Sequence, residues 1–215
     1  DCRFFEGGFE PSVERVEIAP KAPYRGVYLA SHFFNFYHVA PIEELSRYLE
    51  DMALWGYNYI KLCYPAIDME YESDPEIGIQ LKRHCEIFKA AHAIGMKTST
   101  GLSVNGVYKK HPPELHAALH NDPFIRRGDT GNMLCLAKPG AQELVDAVNE
   151  TICEGYKDGG VDMFNIWPYD EGGCGCPECA PWGAKGFIKG GKRAFEIAAR
   201  HYPNALRETS TWCFD

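Results

Sequence analysis

Between residues 41 and 56 the apolar side chains Ile42, Leu45, Leu49 and Met52 recur every three or four positions, which is the spacing of one helical face. Pro41 suits the first turn of that helix and Gly56 the position just past its end. The segment YNYIKLCY that follows reads as a strand. The same unit of helix, glycine and strand recurs. Leu81, Cys85, Phe88 and His92 share a face that ends at Gly95 before MKTSTGLSV, and Leu144, Val148 and Ile152 lead through Gly159 and Gly160 to VDMFNIW. A strand at RGVYLAS precedes the first helix. Another, LRETSTWCF, follows a helix expected over residues 187–202, whose start is weakened by Gly190 and Gly191.

Five strands alternating strictly with four helices imply an α/β protein with parallel strands and right-handed crossovers, either an open doubly wound sheet or a (β/α)8 TIM barrel. The first strand runs into SHFFNFYHVAP, which has no glycine-rich phosphate fingerprint, so the barrel is the better reading. Eight such units take about 250 residues, and the present chain of 215 residues reaches only its fifth strand. It is therefore expected to be a partial barrel, residues 24–215 being the N-terminal part of a catalytic barrel completed elsewhere in a longer chain. Residues 1–23 read as the tail and linker of a preceding domain.

A formal charge of −8 with interspersed acids and bases disfavours a nucleic-acid groove or an anionic membrane surface. No apolar run approaches the roughly 20 residues of a membrane span. Nine cysteines, an odd number scattered through predicted strands and helices, argue against a disulfide framework and favour a reducing compartment such as the cytoplasm, leaving periplasm or secretion open.

Chemistry concentrates in residues 167–183, WPYDEGGCGCPECAPWG. In barrel enzymes the catalytic groups sit at the carboxyl ends of strands, and Asp170 and Glu171 directly follow the strand segment MFNIW. Two carboxylates so close cannot both ionise freely, so one is expected to hold a proton at neutral pH, as glycosidic cleavage requires. Trp167, Tyr169 and Trp182 supply faces on which a sugar can stack. Further strand-end groups that could line a sugar pocket are His32, Lys61, Tyr64, Asn105 and Trp212. The segment 105–140 is expected to form a long loop shaping the cleft.

RGVYLAS, a helix ending in LWGYN and an acidic pair after the fourth predicted strand together resemble the family 20 β-hexosaminidases and the related α-glucuronidases. WPYDEGGCGCPECAPWG looks still more like the corresponding signature of uncharacterised bacterial glycosidase-like proteins that carry a cysteine-rich loop there. The resemblance implies a glycoside hydrolase acting on an oligosaccharide or glycoconjugate. Arg25 would hold hydroxyls of the sugar in the cleaved subsite, Asp170 would orient a substrate acetamido group, and Glu171 would be the general acid. The chain departs from family 20 at Ala30, where an acidic residue is common, and in lacking the His and Gly-Gly that lead into the acid pair. Without acetamido assistance a second carboxylate must act as nucleophile or base, and Asp68 and Asp215 are the candidates.

Cys174, Cys176 and Cys179 form C-x-C-x-x-C, a spacing that brings three thiolates around one tetrahedral ion. A structural zinc is the expected occupant, with Cys213, Cys135 or a histidine such as His111 as fourth ligand. No organic cofactor is expected. The alternative functions are a metal-dependent barrel hydrolase, disfavoured by the lack of a His-x-His motif after the first strand, and a non-catalytic carbohydrate-binding barrel.

Overall fold

The computed structural model of the protein describes residues 2–11, 17, 19–64, 66–118, 133–168 and 173–210. An antiparallel hairpin, β1 (Cys2–Phe5) and β2 (Gly8–Pro11), occupies the segment read as a linker. The turn residues Glu6 and Gly7 separate the two phenylalanine-bearing strands, with Gly7 at φ +89° where a side chain would be strained.

The remaining strands are β3 (Gly26–Tyr28), β4 (Tyr59–Leu62), β5 (Lys97–Gly101), β6 (Met163–Ile166) and β7 (Leu206–Thr209), all parallel and hydrogen-bonded in chain order. These are the five expected strands. A short helix α1 (Phe36–Val39), capped by the Asn35 side chain on the Tyr37 N–H, lies in the segment after β3. The crossovers run through α2 (Ile42–Leu54), α3 (Pro75–Ala93), α4 (Ala141–Gly155) and α5 (Gly186–His201).

The predicted helical periods hold except at His92, the last position of the α3 stripe, which is exposed and pairs with Asp162. Leu45 and Leu49 of α2 are buried, as are Cys85 and Phe88 of α3 and Val148 and Ile152 of α4. Each buried Leu, Ile or Phe contributes roughly 1.5–3 kcal/mol. Gly56 and Gly95 adopt φ of +91° and +79° just past their helices, where a side chain would be strained. Gly190 and Gly191 do not loosen α5. A Cβ on Gly190 would lie 2.5 Å from the Val104 carbonyl oxygen, and one on Gly191 2.4 Å from Ile166 Cδ1. The two glycines let the helix approach the sheet and its loop closely, which offsets their low helical propensity.

Side chains alternate between the two faces of each strand. Ile60, Leu62, Phe164 and Ile166 pack beneath the helices, whereas the register Tyr28, Lys61, Ser99, Met163 and the next row, Gly101, Asn165, Glu208, share the other face. Strong curvature about that second face follows from contacts between strands that are not neighbours. Lys61 Nζ on β4 is 3.1 Å from Glu208 Oε2 on β7, and the Tyr28 ring on β3 stands 5.5 Å edge-on from that of Trp167, just past β6. In a flat sheet, three strand spacings would put these backbones about 14 Å apart. The sheet is thus an arc of a barrel wall with its polar face inside.

Candidate functional site

At the carboxyl end of the arc lies a cavity of about 500 Å³. Its walls are aromatic and apolar, including Tyr28, Phe33, Tyr64, Trp167 and Trp182, and its polar groups include Asp68, Asn105 and Asn165. That combination matches a ligand pocket, in which apolar walls enclose a few placed polar groups.

Several devices fix its walls. Tyr64 and Tyr108 share a buried hydroxyl–hydroxyl bond of 2.8 Å. Asn149 on α4 clamps the loop after β5 in two directions, accepting from the Ser103 N–H at 2.8 Å and donating to its carbonyl at 2.9 Å. On the far side of the sheet the buried His84 joins Ser31 Oγ at 2.9 Å to the Tyr156 hydroxyl at 2.8 Å, tying the end of β3 to α3 and α4. Below the cavity Lys61 pairs with Glu208 while its ammonium lies 5.2 Å from the centre of the Trp167 ring. Burial pushes the Cys63 thiol up to about 11, so this cavity-lining sulfur is a neutral thiol at pH 7 and not a nucleophile.

Of the residues singled out from sequence, Tyr64, Asn105, Trp167 and Trp182 line the cavity, as does Asp68, whereas Lys61 is not among its lining residues and instead lies against the Trp167 ring. Arg25 is elsewhere. It stands at the amino end of β3, where Nε donates to the Gly56 carbonyl at 2.6 Å and Nη1 to that of Ala22 at 2.7 Å, so its guanidinium braces the opposite rim. His32 falls on the single 3₁₀ turn Ser31–Phe33 after β3. Tyr169, Asp170, Glu171, Trp212 and Asp215 lie outside the described residues, as does Cys213. Pro168, two positions before Asp170, lines the cavity. Within the long segment 105–140, the bridges Gly106 to Met133 and His116 to Leu134 fold the loop back on itself, and Asn105, Gly106 and Met133 reach the cavity wall.

The sequence reading missed Glu208 and Asn165. Both occupy alternate, inward positions of their strands, and a charged or amide residue at such a position in an otherwise barrel-like pattern is the available signal.

Beside the cavity, the sulfur atoms of Cys135, Cys174, Cys176 and Cys179 all lie within 4.8 Å of one another, with 3.6 Å between Cys135 and Cys176. The fourth member is therefore Cys135. His111 instead bonds the Tyr108 carbonyl at 3.1 Å and stacks on His116. With Zn–S bonds of about 2.3 Å, a tetrahedral site has sulfurs roughly 3.8 Å apart, so these side chains fit such an ion with little movement. Burial pushes Cys174 up to about 11 and raises Cys179. For Cys135, burial is outweighed by the Ala137 N–H and by the other three cysteines, which hold it below the ordinary thiol value. Four cysteine donors leave no position for a metal-bound water, so the cluster suits a structural ion and not a hydrolytic one.

The cluster joins two loops. Cys135 closes the loop after β5, and the others belong to the loop after β6; the Ala118 N–H donates to Cys174 Sγ at 3.4 Å and the Gly175 N–H to the Ala118 carbonyl at 3.1 Å.

Among the described residues no helix is long and apolar enough to cross a membrane. No protein-family model matches the chain, and no curated protein matches it. Solved structures do. The Flavobacterium johnsoniae chitobiase FjGH20 matches with a TM-score of 0.55 and 15% identity over 88% of this chain and 32% of its own. GH5_18 from Streptomyces cattleya in complex with GlcNAc matches with 0.54 and 12% over 89% and 45%. The α-amylase of Geobacillus thermoleovorans, complexed with acarbose, matches with 0.51 and 14% over 81% and 41%. The chain thus spans less than half the length of each. At such identities the likeness is one of fold: this parallel arc and its helices match part of the TIM barrels of glycoside hydrolases.

Proposed function

We propose that the protein is a glycoside hydrolase, in which Asp170 and Glu171 supply the acid that protonates the departing glycosidic oxygen. The observation that supports this most is the aromatic-walled cavity at the carboxyl end of the curved sheet, lined by Trp167 and Pro168, with only Tyr169 between them and the acid pair. A cavity of about 500 Å³ suits one or two sugar rings, and the structural neighbours are glycosidases.

Asp68 is the carboxylate at the cavity wall best placed to act as nucleophile or base towards a substrate held there, with Asp215 as the other candidate. Trp167, Tyr64 and Asn105 bind the sugar, and the cysteine cluster holds a structural zinc. Oligosaccharides or glycoconjugates are the substrates.

The test is the rate on a panel of aryl glycosides. Glu171→Gln is expected to lower kcat about 10²- to 10⁴-fold for substrates that need leaving-group protonation, with an unchanged melting temperature. Full turnover by Glu171→Gln and by Asp170→Asn would remove the assignment.

A further inference from the structure

Two buried polar atoms, on residues that line the cavity, lack a hydrogen-bond partner among the described residues. They are Trp182 Nε1, on a residue 3% exposed, and Asn165 Oδ1, on a residue 1% exposed. One is a donor and the other an acceptor. Leaving such groups dry and unpaired costs free energy that a ligand supplying partners recovers.

The pair also discriminates between ligand classes. A carboxylate or phosphate would satisfy the indole N–H but face the Asn165 oxygen with like charge. An ammonium would do the reverse. Hydroxyl groups donate and accept, so a neutral polyol satisfies both. The Lys61 charge beside Trp167 is already matched by Glu208, so it exerts no strong pull on an ion.

Trp182 is held between the cysteine loop and the start of α5. A Cβ on Gly173 would lie 1.8 Å from the indole ring and one on Gly186 2.2 Å from it, so the ring occupies the space that those two glycines leave. Gly173 adjoins Cys174, and the Gly186 N–H donates to the Cys179 carbonyl at 3.1 Å. Both walls of the slot are therefore joined through the backbone to cysteines of the four-sulfur cluster.

We infer that Trp182 is a ligand-binding residue whose indole N–H, together with Asn165 Oδ1, hydrogen-bonds the hydroxyl groups of a neutral sugar, and that the cysteine cluster sets the affinity by positioning this indole. The inference rests on the reading of the cavity as a carbohydrate site. It adds a group-by-group recognition pattern and makes metal loading a determinant of sugar binding.

The experiment is ligand-observed NMR titration of glucose, galactose, mannose and N-acetylglucosamine against the wild-type chain and Trp182→Phe, each zinc-loaded and chelator-treated. At least one sugar is expected to bind. Trp182→Phe, which keeps a ring in the slot and removes the N–H, should weaken it about five- to tenfold. Chelation should weaken binding to the wild type, and the two losses should be less than additive because they act through one indole.

Should Trp182→Phe fail to fold, benzothienylalanine in place of Trp182, which exchanges N–H for sulfur at nearly constant shape, reads the same loss. Wild-type affinity in the variant, affinity unaffected by chelation, or no binding of any of the four sugars by the wild type would overturn the inference. Aryl-glycoside turnover is measured alongside. Turnover with Trp182-independent binding leaves the hydrolase reading standing without the inference, and Trp182-dependent binding without turnover leaves the inference standing alone.

Discussion

Lys61 Nζ and Glu208 Oε2 meet at 3.1 Å although their strands, β4 and β7, are separated by two others. The pair is a strut across the concave face. Lys61 is nearly buried and Glu208 about one-third exposed, so removing one partner leaves a charge that is poorly solvated but not isolated. Lys61→Met is expected to destabilise the chain by about 2 kcal/mol, below the 3–5 kcal/mol of a fully buried pair. The double variant Lys61→Met, Glu208→Leu should recover most of it. Urea denaturation of the four members of this cycle measures the coupling, and additivity of the two single changes would refute the strut.

One zinc per chain is expected by elemental analysis. Cys135→Ser should weaken its retention as much as Cys174→Ser does, whereas His111→Ala should not. With zinc in excess over Kd by a few hundredfold, the bound ion adds about 3 kcal/mol, so chelation should lower the melting temperature by roughly 6–12 °C. Cobalt titration offers a second readout, since four thiolates give an intense sulfur-to-metal charge-transfer band. A cobalt complex lacking that band would contradict the four-cysteine site.

Asp68 is exposed, so its replacement by Asn should leave the melting temperature within about 1–2 °C of the parent. If it is the nucleophile or base, turnover of an aryl glycoside should fall by about 10² or more. A kcat unchanged in Asp68→Asn would transfer that role to Asp215 or to another chain segment.

Asp162, just ahead of β6, accepts from the Thr98 N–H at 2.9 Å, from His92 at 2.9 Å and from Lys97 at 3.3 Å. Burial alone would raise its carboxyl, but the Thr98 N–H, His92 and Lys97 outweigh burial and hold it below the usual carboxylate range. A depressed folded value means that the stabilisation is complete above the ordinary Asp pKa of about 3.9 and is lost as pH falls through the folded value. Asp162→Asn should therefore cost about 1 kcal/mol at pH 7, and the difference should shrink below about pH 4. A gap that stays constant from pH 7 to pH 3 would show that the carboxylate charge plays no part.

Much of the barrel arc was legible because its signals are local. The stripe Ile42, Leu45, Leu49 and the glycines at 56 and 95 mark a helix and its end within a few residues, and alternation of such units implies parallel strands. The hairpin at residues 2–11 was passed over, although Glu-Gly-Gly between two phenylalanine-bearing runs is a turn signal. Arg25 shows the opposite limit: it immediately precedes the three-residue strand Gly26–Tyr28, so where the strand begins decides which rim its side chain serves. Cys135 could only be one candidate among several, because its nearness to Cys176 depends on how the loop after β5 folds back through the His116 to Leu134 bridge. Glu208 acquires its meaning from Lys61, three strands away, and no periodicity within β7 reports that.

Because one thiol of the cluster comes from the loop after β5 and three from the loop after β6, these two segments cannot be redesigned separately. Transplanting the second loop into a related scaffold without an acceptor cysteine in the first would leave an incomplete donor set, and Trp182 with it would lose its fixed orientation. Any diversification of this rim therefore has to treat the paired loops as one exchangeable cassette.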